Sequence, residues 1–158
     1  MTTLLARIAE HPANAIALVA DPVTVSYGEL REAVDAFAAR LLAGREDLAE
    51  ERVAMLLPAG PDYVTTLLAI WRAGGVAVPL AKAAAAGELE YALGTARASR
   101  LVTSGEFVEK IGPTAAALGI EIVAPGQRGS PRDLPEVAPE RRAMMLFTSG
   151  TTSRPKGV

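Results

Sequence analysis

The sequence predicts an α/β fold, a mainly parallel sheet with helices on both faces, and three observations carry that expectation. Short apolar runs recur around Val53, Val76, Leu101 and Ile122, and segments with apolar residues at helical spacing separate them. The chain has 158 residues, the length of one domain. A domain of that size buries about 70% of its unfolded surface. Half of the residues are hydrophobic and only 4% are aromatic, so the core is built from Ala, Leu and Val.

Thr3 is placed to cap a short helix carrying Leu4, Leu5 and Ile8, which His11-Pro12 stops. His11, the only histidine, reads as a solvated or capping residue rather than a ligand or base. Ala15 to Ala20 and Val23 to Val25 flank Asp21-Pro22 and read as a hairpin. Ser26 and Glu29 have the spacing of a capping box. The helix they open puts Leu30, Val34, Phe37 and Leu41 on one face, and Gly44 stops it. Arg52 to Leu57 is a continuous apolar strand closed by Pro58.

Pro61 suits the first position of the next helix, Asp62 complements its positive end, and Val64, Leu67, Leu68 and Trp71 form its buried face. Gly74-Gly75 lets the helix end approach the next strand, Val76 to Val78, which Pro79 closes. The run Ala81 to Ala86 favours a continuous helix, with Lys82 solvated. Arg100 to Thr103 is a strand, followed by a helix from Glu106 to about Leu118 with Pro113 as a candidate interruption. Glu121 to Val123 is a further short strand. Residues 124–139 hold four prolines, two glycines and mixed charge, the composition of a surface connection. Arg141-Arg142 reads as a solvated strand edge, and Ala143 to Phe147 as a buried strand.

Composition excludes several function classes. Sixteen basic and 18 acidic residues give a net charge of −2, which provides no electrostatic footprint for nucleic acid or an anionic membrane. No cysteine is present, so there is no disulfide, thiolate metal site or thiol nucleophile. Met1 to Ala9 lacks the apolar core of a signal peptide, and no run of 18 apolar residues could span a membrane. Cytoplasmic residence is the default expectation.

The chemistry is concentrated after Phe147. Thr148, Ser149, Thr151, Thr152 and Ser153 supply hydroxyl donors around Gly150, whose freedom lets backbone N–H groups converge on one point. Lys156 adds a mobile point charge with three donors. Donors without acceptors at the end of a strand suit a polyphosphate. The order is not that of a Walker A loop, because Lys156 follows Pro155 and precedes Gly157. Composition alone also fits an ordinary polar turn.

The whole string does more. Thr148-Ser149-Gly150-Thr151-Thr152, then Arg154-Pro155-Lys156-Gly157-Val158, after an apolar strand, resembles the phosphate-binding signature of the adenylate-forming (AMP-binding) enzymes. These include acyl-CoA synthetases, adenylation domains of peptide synthetases and firefly luciferases. Trp71-Arg72-Ala73-Gly74-Gly75-Val76-Ala77-Val78-Pro79-Leu80 and Thr24-Val25-Ser26-Tyr27-Gly28-Glu29-Leu30 resemble two further signatures of the family, in the family's order. Two departures stand out: Ser153 replaces the usual glycine, and Ala81 to Ala86 replaces the usual prolines before Glu88-Leu89-Glu90-Tyr91.

The resemblance implies the N-terminal portion of the large domain of such an enzyme. Residues 1–158 would form an incomplete N-terminal subdomain: an α/β core over 1–123, a surface connection over 124–139, and a strand plus phosphate loop over 140–158. It implies an acid–thiol ligase, most like acyl-CoA synthetases of the fatty-acid or malonate type, that joins a carboxylic acid to ATP as an acyl-adenylate and passes it to coenzyme A. Lys156 would be catalytic. Thr148, Ser149, Gly150, Thr151, Thr152, Ser153 and Lys156 would bind the nucleotide, and Thr151 and Thr152 would help hold Mg²⁺. The remaining C-terminal part of the enzyme is an expected partner, self-association is a further one, and the 158-residue chain alone is expected to be inactive. An adenylation domain loading a carrier protein, a Walker-type NTPase or kinase, and a non-enzymatic α/β module are the competing readings.

Overall fold

The computed structural model describes residues 4–148 and 156–158. The expected Thr3 cap lies outside them. Helix α1 (Leu4–Glu10) is followed by the antiparallel pair β1 (Ile16–Ala20) and β2 (Val23–Ser26). Leu5 and Ile8 of α1 pack partly buried against the core, and Arg31 reaches back to the carbonyls of Ile8, Ala9 and His11. His11 stacks on Tyr27, with ring centroids 4.2 Å apart.

Helix α2 (Tyr27–Leu42) starts as the spacing predicts. Glu29 N–H donates to Ser26 Oγ at 3.3 Å, and Ser26 N–H donates to Glu29 Oε2 at 2.8 Å. The helix ends at Ala43, which is itself left-handed, just before Gly44. Then come β3 (Arg52–Leu56), α3 (Pro61–Arg72), β4 (Val76–Pro79), α4 (Ala86–Ala96), β5 (Arg100–Thr103), α5 (Gly105–Ala117) and β6 (Glu121–Val123). The four strands β4-β3-β5-β6 lie side by side in that order, all parallel.

The sheet is covered on both faces, and the pleat sorts its residues between two cores. Val53, Met55 and Leu57 join Phe37, Leu41, Leu68 and Ile70 on the α2–α3 side. Ala54 and Leu56 join Leu89, Leu93 and Ile111 on the α4–α5 side. A strand buried on both faces reads as continuously apolar, as Arg52 to Leu57 does. Each Leu, Val or Ile taken out of water here contributes about 1.5–3 kcal/mol.

Three expectations need correction. Ala81 to Ala85 is not helical. Glu88 accepts the Ala85 N–H at 2.9 Å and so starts α4 at Ala86, while the Lys110 amine takes the carbonyls of Lys82 and Ala84. Tertiary contacts thus outweigh the helix propensity of alanine. Lys82 is exposed. Helix α5 runs through Pro113 without interruption. Pro113 and Glu109 are both exposed, so water can reach the carbonyl the proline leaves unpaired. On α3, the fully buried positions are Thr66, Leu68, Ala69 and Ile70, whereas Val64, Leu67 and Trp71 pack only partly buried.

The two glycines after α3 do what close approach requires. Gly74 has φ +79°, and a Cβ on it would strike the Asp47 carboxylate. A Cβ on Gly75 would meet Leu48 Cδ1 at 2.9 Å and the Glu51 carbonyl at 3.2 Å. The loop before β3 therefore packs directly on the turn before β4, with Leu48 N–H on the Ala73 carbonyl and Glu50 N–H on that of Gly74.

Candidate functional site

In a parallel sheet the carboxyl ends of the strands open toward the ligand side. β3 and β5 are tied there by the buried Thr103 hydroxyl, which donates to the Leu56 carbonyl at 2.9 Å. The chain returns to the sheet beside β4, where Met144 bridges Ala77 in parallel. Ala77 N–H donates to the Ala143 carbonyl and Met145 N–H to the Ala77 carbonyl, both at 2.9 Å.

Past that bridge the chain changes partner. Leu146 and Val158 exchange two 2.8 Å hydrogen bonds. β7 (Phe147–Thr148) then pairs antiparallel with β8 (Lys156–Gly157), Phe147 opposite Gly157 and Thr148 opposite Lys156. Directly opposed residues of an antiparallel ladder present their side chains on one face. Thr148 and Lys156 are therefore brought together, and both are exposed. Ser149, Gly150, Thr151, Thr152 and Ser153 lie outside the described residues.

The expected buried strand over Ala143 to Phe147 is corrected by this arrangement. Met145 and Phe147 pack partly buried on the α4–α5 core, but Ala143 is exposed and Leu146 is 48% exposed. The segment touches β4 through one bridge only, and one of its two faces is open.

Arg141 is the functional-looking residue that the sequence hides. It was expected to be solvated, yet its guanidinium forks onto Asp47, with Nη1 2.5 Å from Oδ2 and Nη2 3.1 Å from Oδ1. Nη2 also donates to the Gly74 carbonyl at 2.9 Å. The hydrogen bond from Arg141 holds the Asp47 carboxyl below its ordinary value, against the opposing effect of desolvation. Arg142 does stay in solvent, although its backbone N–H and side chain both reach Glu50. Trp71, expected in the core, adds a third tether: its indole Nε1–H donates to the Ala143 carbonyl at 2.6 Å.

Gly157 lies under Met145, whose methyl group would have to move if a Cβ were present. Beside the ladder runs a groove of about 230 Å³ lined by Pro79, Leu80, Leu89, Ala92, Leu146 and Phe147, with Glu88 as its one charged residue. Its walls suit an apolar surface rather than phosphate. A cleft of about 590 Å³ on the α2 side shares no residue with it; two of its arginines, Arg72 and Arg128, are already paired with Asp35 and Glu32. Among the described residues there is no cluster of three or more His, Cys, Asp or Glu side chains that could hold a metal ion, and no helix is long and apolar enough to cross a membrane.

The sequence model of the AMP-binding enzymes matches residues 5–158, nearly the whole chain. The chain belongs to the AMP-binding enzyme family. Among relatives of this AMP-binding chain, the human mitochondrial malonate–CoA ligase ACSF3 is 37% identical over 123 residues, which is 71% of this chain and 21% of the ligase. The phenyloxazoline synthase MbtB of Mycobacterium sp. (strain MCS) is 38% identical over 154 residues, covering 96% of this chain and 13% of the synthase. The solved structure of ATP-bound MatB from Rhodopseudomonas palustris superposes with a TM-score of 0.78 at 29% identity, covering 98% of this chain and 33% of MatB. The AMP-binding chain thus spans about a fifth of the ligase and a third of MatB.

Proposed function

We propose that residues 1–158 form the N-terminal subdomain of an ATP-dependent, AMP-forming acid–thiol ligase, and that the segment between Thr148 and Lys156 cradles the nucleotide's phosphates. The observation that carries this is the pairing of Thr148 with Lys156 beside the carboxyl end of β4. It brings together the two residues that flank the hydroxyl-rich stretch of the sequence, Thr148 before it and Lys156 after it. Lys156, exposed and opposite Thr148, is placed to stabilise charge that develops on departing pyrophosphate. The loop's part is positional: it holds the β- and γ-phosphates so that the acid's carboxylate attacks the α-phosphate in line. Thr148, Ser149, Gly150, Thr151, Thr152, Ser153 and Lys156 are the proposed nucleotide contacts. Thr151 and Thr152 are the proposed Mg²⁺ contacts, hard oxygen donors of the kind that ion takes. Bound Mg²⁺ would neutralise phosphate charge.

The acyl group would pass to coenzyme A, in line with the likeness to the human malonate–CoA ligase. A small carboxylic acid such as malonate, or a fatty acid, is the proposed substrate class. The likeness to MbtB favours a second reading, an adenylation domain that loads a carrier protein. Cytoplasmic residence belongs to the same proposal, although the human ligase is named as mitochondrial.

Pyrophosphate release with ATP, Mg²⁺, a panel of carboxylic acids and either coenzyme A or a carrier protein is the test. It is run on the longest chain that carries these residues and on residues 1–158 alone. The longer chain should turn over and lose at least 100-fold with Lys156→Ala, about the effect of removing one transition-state donor. Residues 1–158 alone should give the blank rate. Turnover by residues 1–158 alone contradicts the expected inactivity, and no turnover of any acid by the longer chain sinks the ligase reading.

A further inference from the structure

The run Ala143-Met144-Met145-Leu146-Phe147 carries little information about its own register. The three side chains at its centre, Met144, Met145 and Leu146, are similar in size and all apolar, so a slip by one residue exchanges one methionine or leucine for another. Pairing with β4 consists of one bridge and two backbone hydrogen bonds at Ala77, which a slipped chain could remake. Yet register matters here more than elsewhere in the sheet. A one-residue slip advances a strand by about 3.3 Å and turns every side chain to the other face. Thr148 would then leave its place at the sheet end.

The specifying contacts lie just upstream. Arg141 cannot move along the sheet without losing three hydrogen bonds, two to Asp47 and one to the Gly74 carbonyl. Its acceptors are themselves fixed. Asp47 Oδ1 also takes the Ala49 N–H, and the Gly74 carbonyl also takes the Glu50 N–H. Gly74 must be glycine for Asp47 to lie where it does. Two residues on, the Ala143 carbonyl accepts both Ala77 N–H and the Trp71 indole.

We infer that Arg141, seated on Asp47 and the Gly74 carbonyl, is a positioning residue for the phosphate loop: it sets the register in which residues 143–148 join β4 and therefore where Thr148 and Lys156 meet. The inference rests on the nucleotide reading of that loop. A planar guanidinium fork fixes both distance and direction, whereas an ammonium fixes only distance. A shift of one residue is about three times the misplacement of roughly 1 Å that already costs about 100-fold in catalysis.

Two measurements on the longest chain carrying these residues separate the possibilities. The first is hydrogen exchange at the Met145 amide, compared with the Ala54 and Met55 amides of β3. The second is the Kd for Mg·ATP by titration calorimetry. Arg141→Ala should lower Met145 protection and weaken Mg·ATP, each at least ten-fold, with Ala54 and Met55 unchanged. Arg141→Lys should recover part of both losses, and Arg142→Ala should match the wild type. Met145 protection that is unchanged in Arg141→Ala, or that falls in step with Ala54 and Met55, overturns the inference. Loss of Met145 protection with an unchanged Kd also overturns it and leaves the nucleotide reading standing. Wild-type protein that binds no Mg·ATP sinks the nucleotide reading instead, and the exchange result alone then decides whether Arg141 sets the register.

Discussion

The indole Nε1 of Trp71 lies 2.6 Å from the carbonyl oxygen of Ala143, 72 residues further along the chain. That oxygen also accepts the Ala77 N–H at 2.9 Å, so one carbonyl joins the end of α3, strand β4 and the approach to β7. A buried or half-buried indole keeps its donor satisfied, and here the partner is the segment that leads to the site.

Trp71→Phe keeps an aromatic ring against the α2–α3 core and removes the donor. Loss of one hydrogen bond costs about 0.5–1.5 kcal/mol. The smaller ring adds a packing loss, so a total of about 1–3 kcal/mol is expected. Urea unfolding followed by circular dichroism should show a lower midpoint. An unchanged midpoint would mean that the Ala77 N–H alone satisfies Ala143.

Thr66 is 0% exposed on α3, and its hydroxyl has no hydrogen-bond partner among the described residues. Leaving such a group buried costs about 1–3 kcal/mol. Valine has the same branching and nearly the same helix propensity, so Thr66→Val removes the penalty without a backbone cost. Stabilisation by about 1 kcal/mol is expected, which for a domain of this size raises Tm by about 2–4 °C. A lower Tm would show that the hydroxyl is bonded in solution, for instance to an internal water.

Much of the fold was legible because its signals are local. The capping box needs only Ser26 and Glu29, three residues apart, and the structure forms both halves. Gly74 and Gly75 mark a close approach, but besides Ile70 of α3 the partners are Asp47, Leu48 and Glu51 of the loop before β3, which the sequence did not name. Strands buried on both faces show as apolar runs whatever their order, so β3, β4 and β5 could be placed without knowing that β3 lies between β4 and β5. What failed depends on distant partners. The alanines among residues 81–85 are good helix formers, and Lys110 from α5 takes the carbonyls of Lys82 and Ala84 where the chain turns. Arg141 looks like any surface arginine, because Asp47 lies 94 residues away and no spacing rule links them. Thr148 and Lys156 both belong to one chemical string in the sequence, and their facing register is a structural addition.

The serine at 153 is the one departure inside the loop string, where the family usually has glycine. Glycine reaches left-handed backbone conformations that other residues enter only at a cost of about 1–2 kcal/mol. Ser153→Gly in the longest chain carrying these residues should therefore lower the KM for ATP, by roughly 5–30-fold at most, the same energy expressed as a ratio. A raised KM would show instead that the Ser153 hydroxyl donates to the nucleotide.

Acid should weaken the fork between Arg141 and Asp47. Hydrogen bonding from Arg141 is the main cause that holds the folded-state pKa of Asp47 below its ordinary 3.8, with desolvation opposing and the Ala49 N–H assisting. A depressed carboxylate pKa contributes stability that is fully present above 3.8 and is lost as pH falls through the lower, folded-state value. Other carboxylates titrate in the same region. Arg142 lowers Glu50; for Glu51, desolvation pushes upward but is outweighed by Arg45, Ser99 and Arg100; Arg40 and Arg100 lower Glu121. A simple acid melt would therefore sum several groups. The difference between wild type and Asp47→Asn isolates one of them, because the other carboxylates are common to both proteins. Asparagine keeps the shape and one acceptor but carries no charge for the Arg141 fork. The stability difference between the two proteins, measured by urea unfolding, should be constant from pH 7 to about pH 5 and should shrink toward zero as pH drops below 3.8. Met145 amide protection, corrected for intrinsic exchange, should fall over the same interval in the wild type and stay flat in Asp47→Asn. A difference that persists unchanged at pH 3 would mean that the fork draws its strength from shape rather than charge, and that Asp47 does not titrate with it.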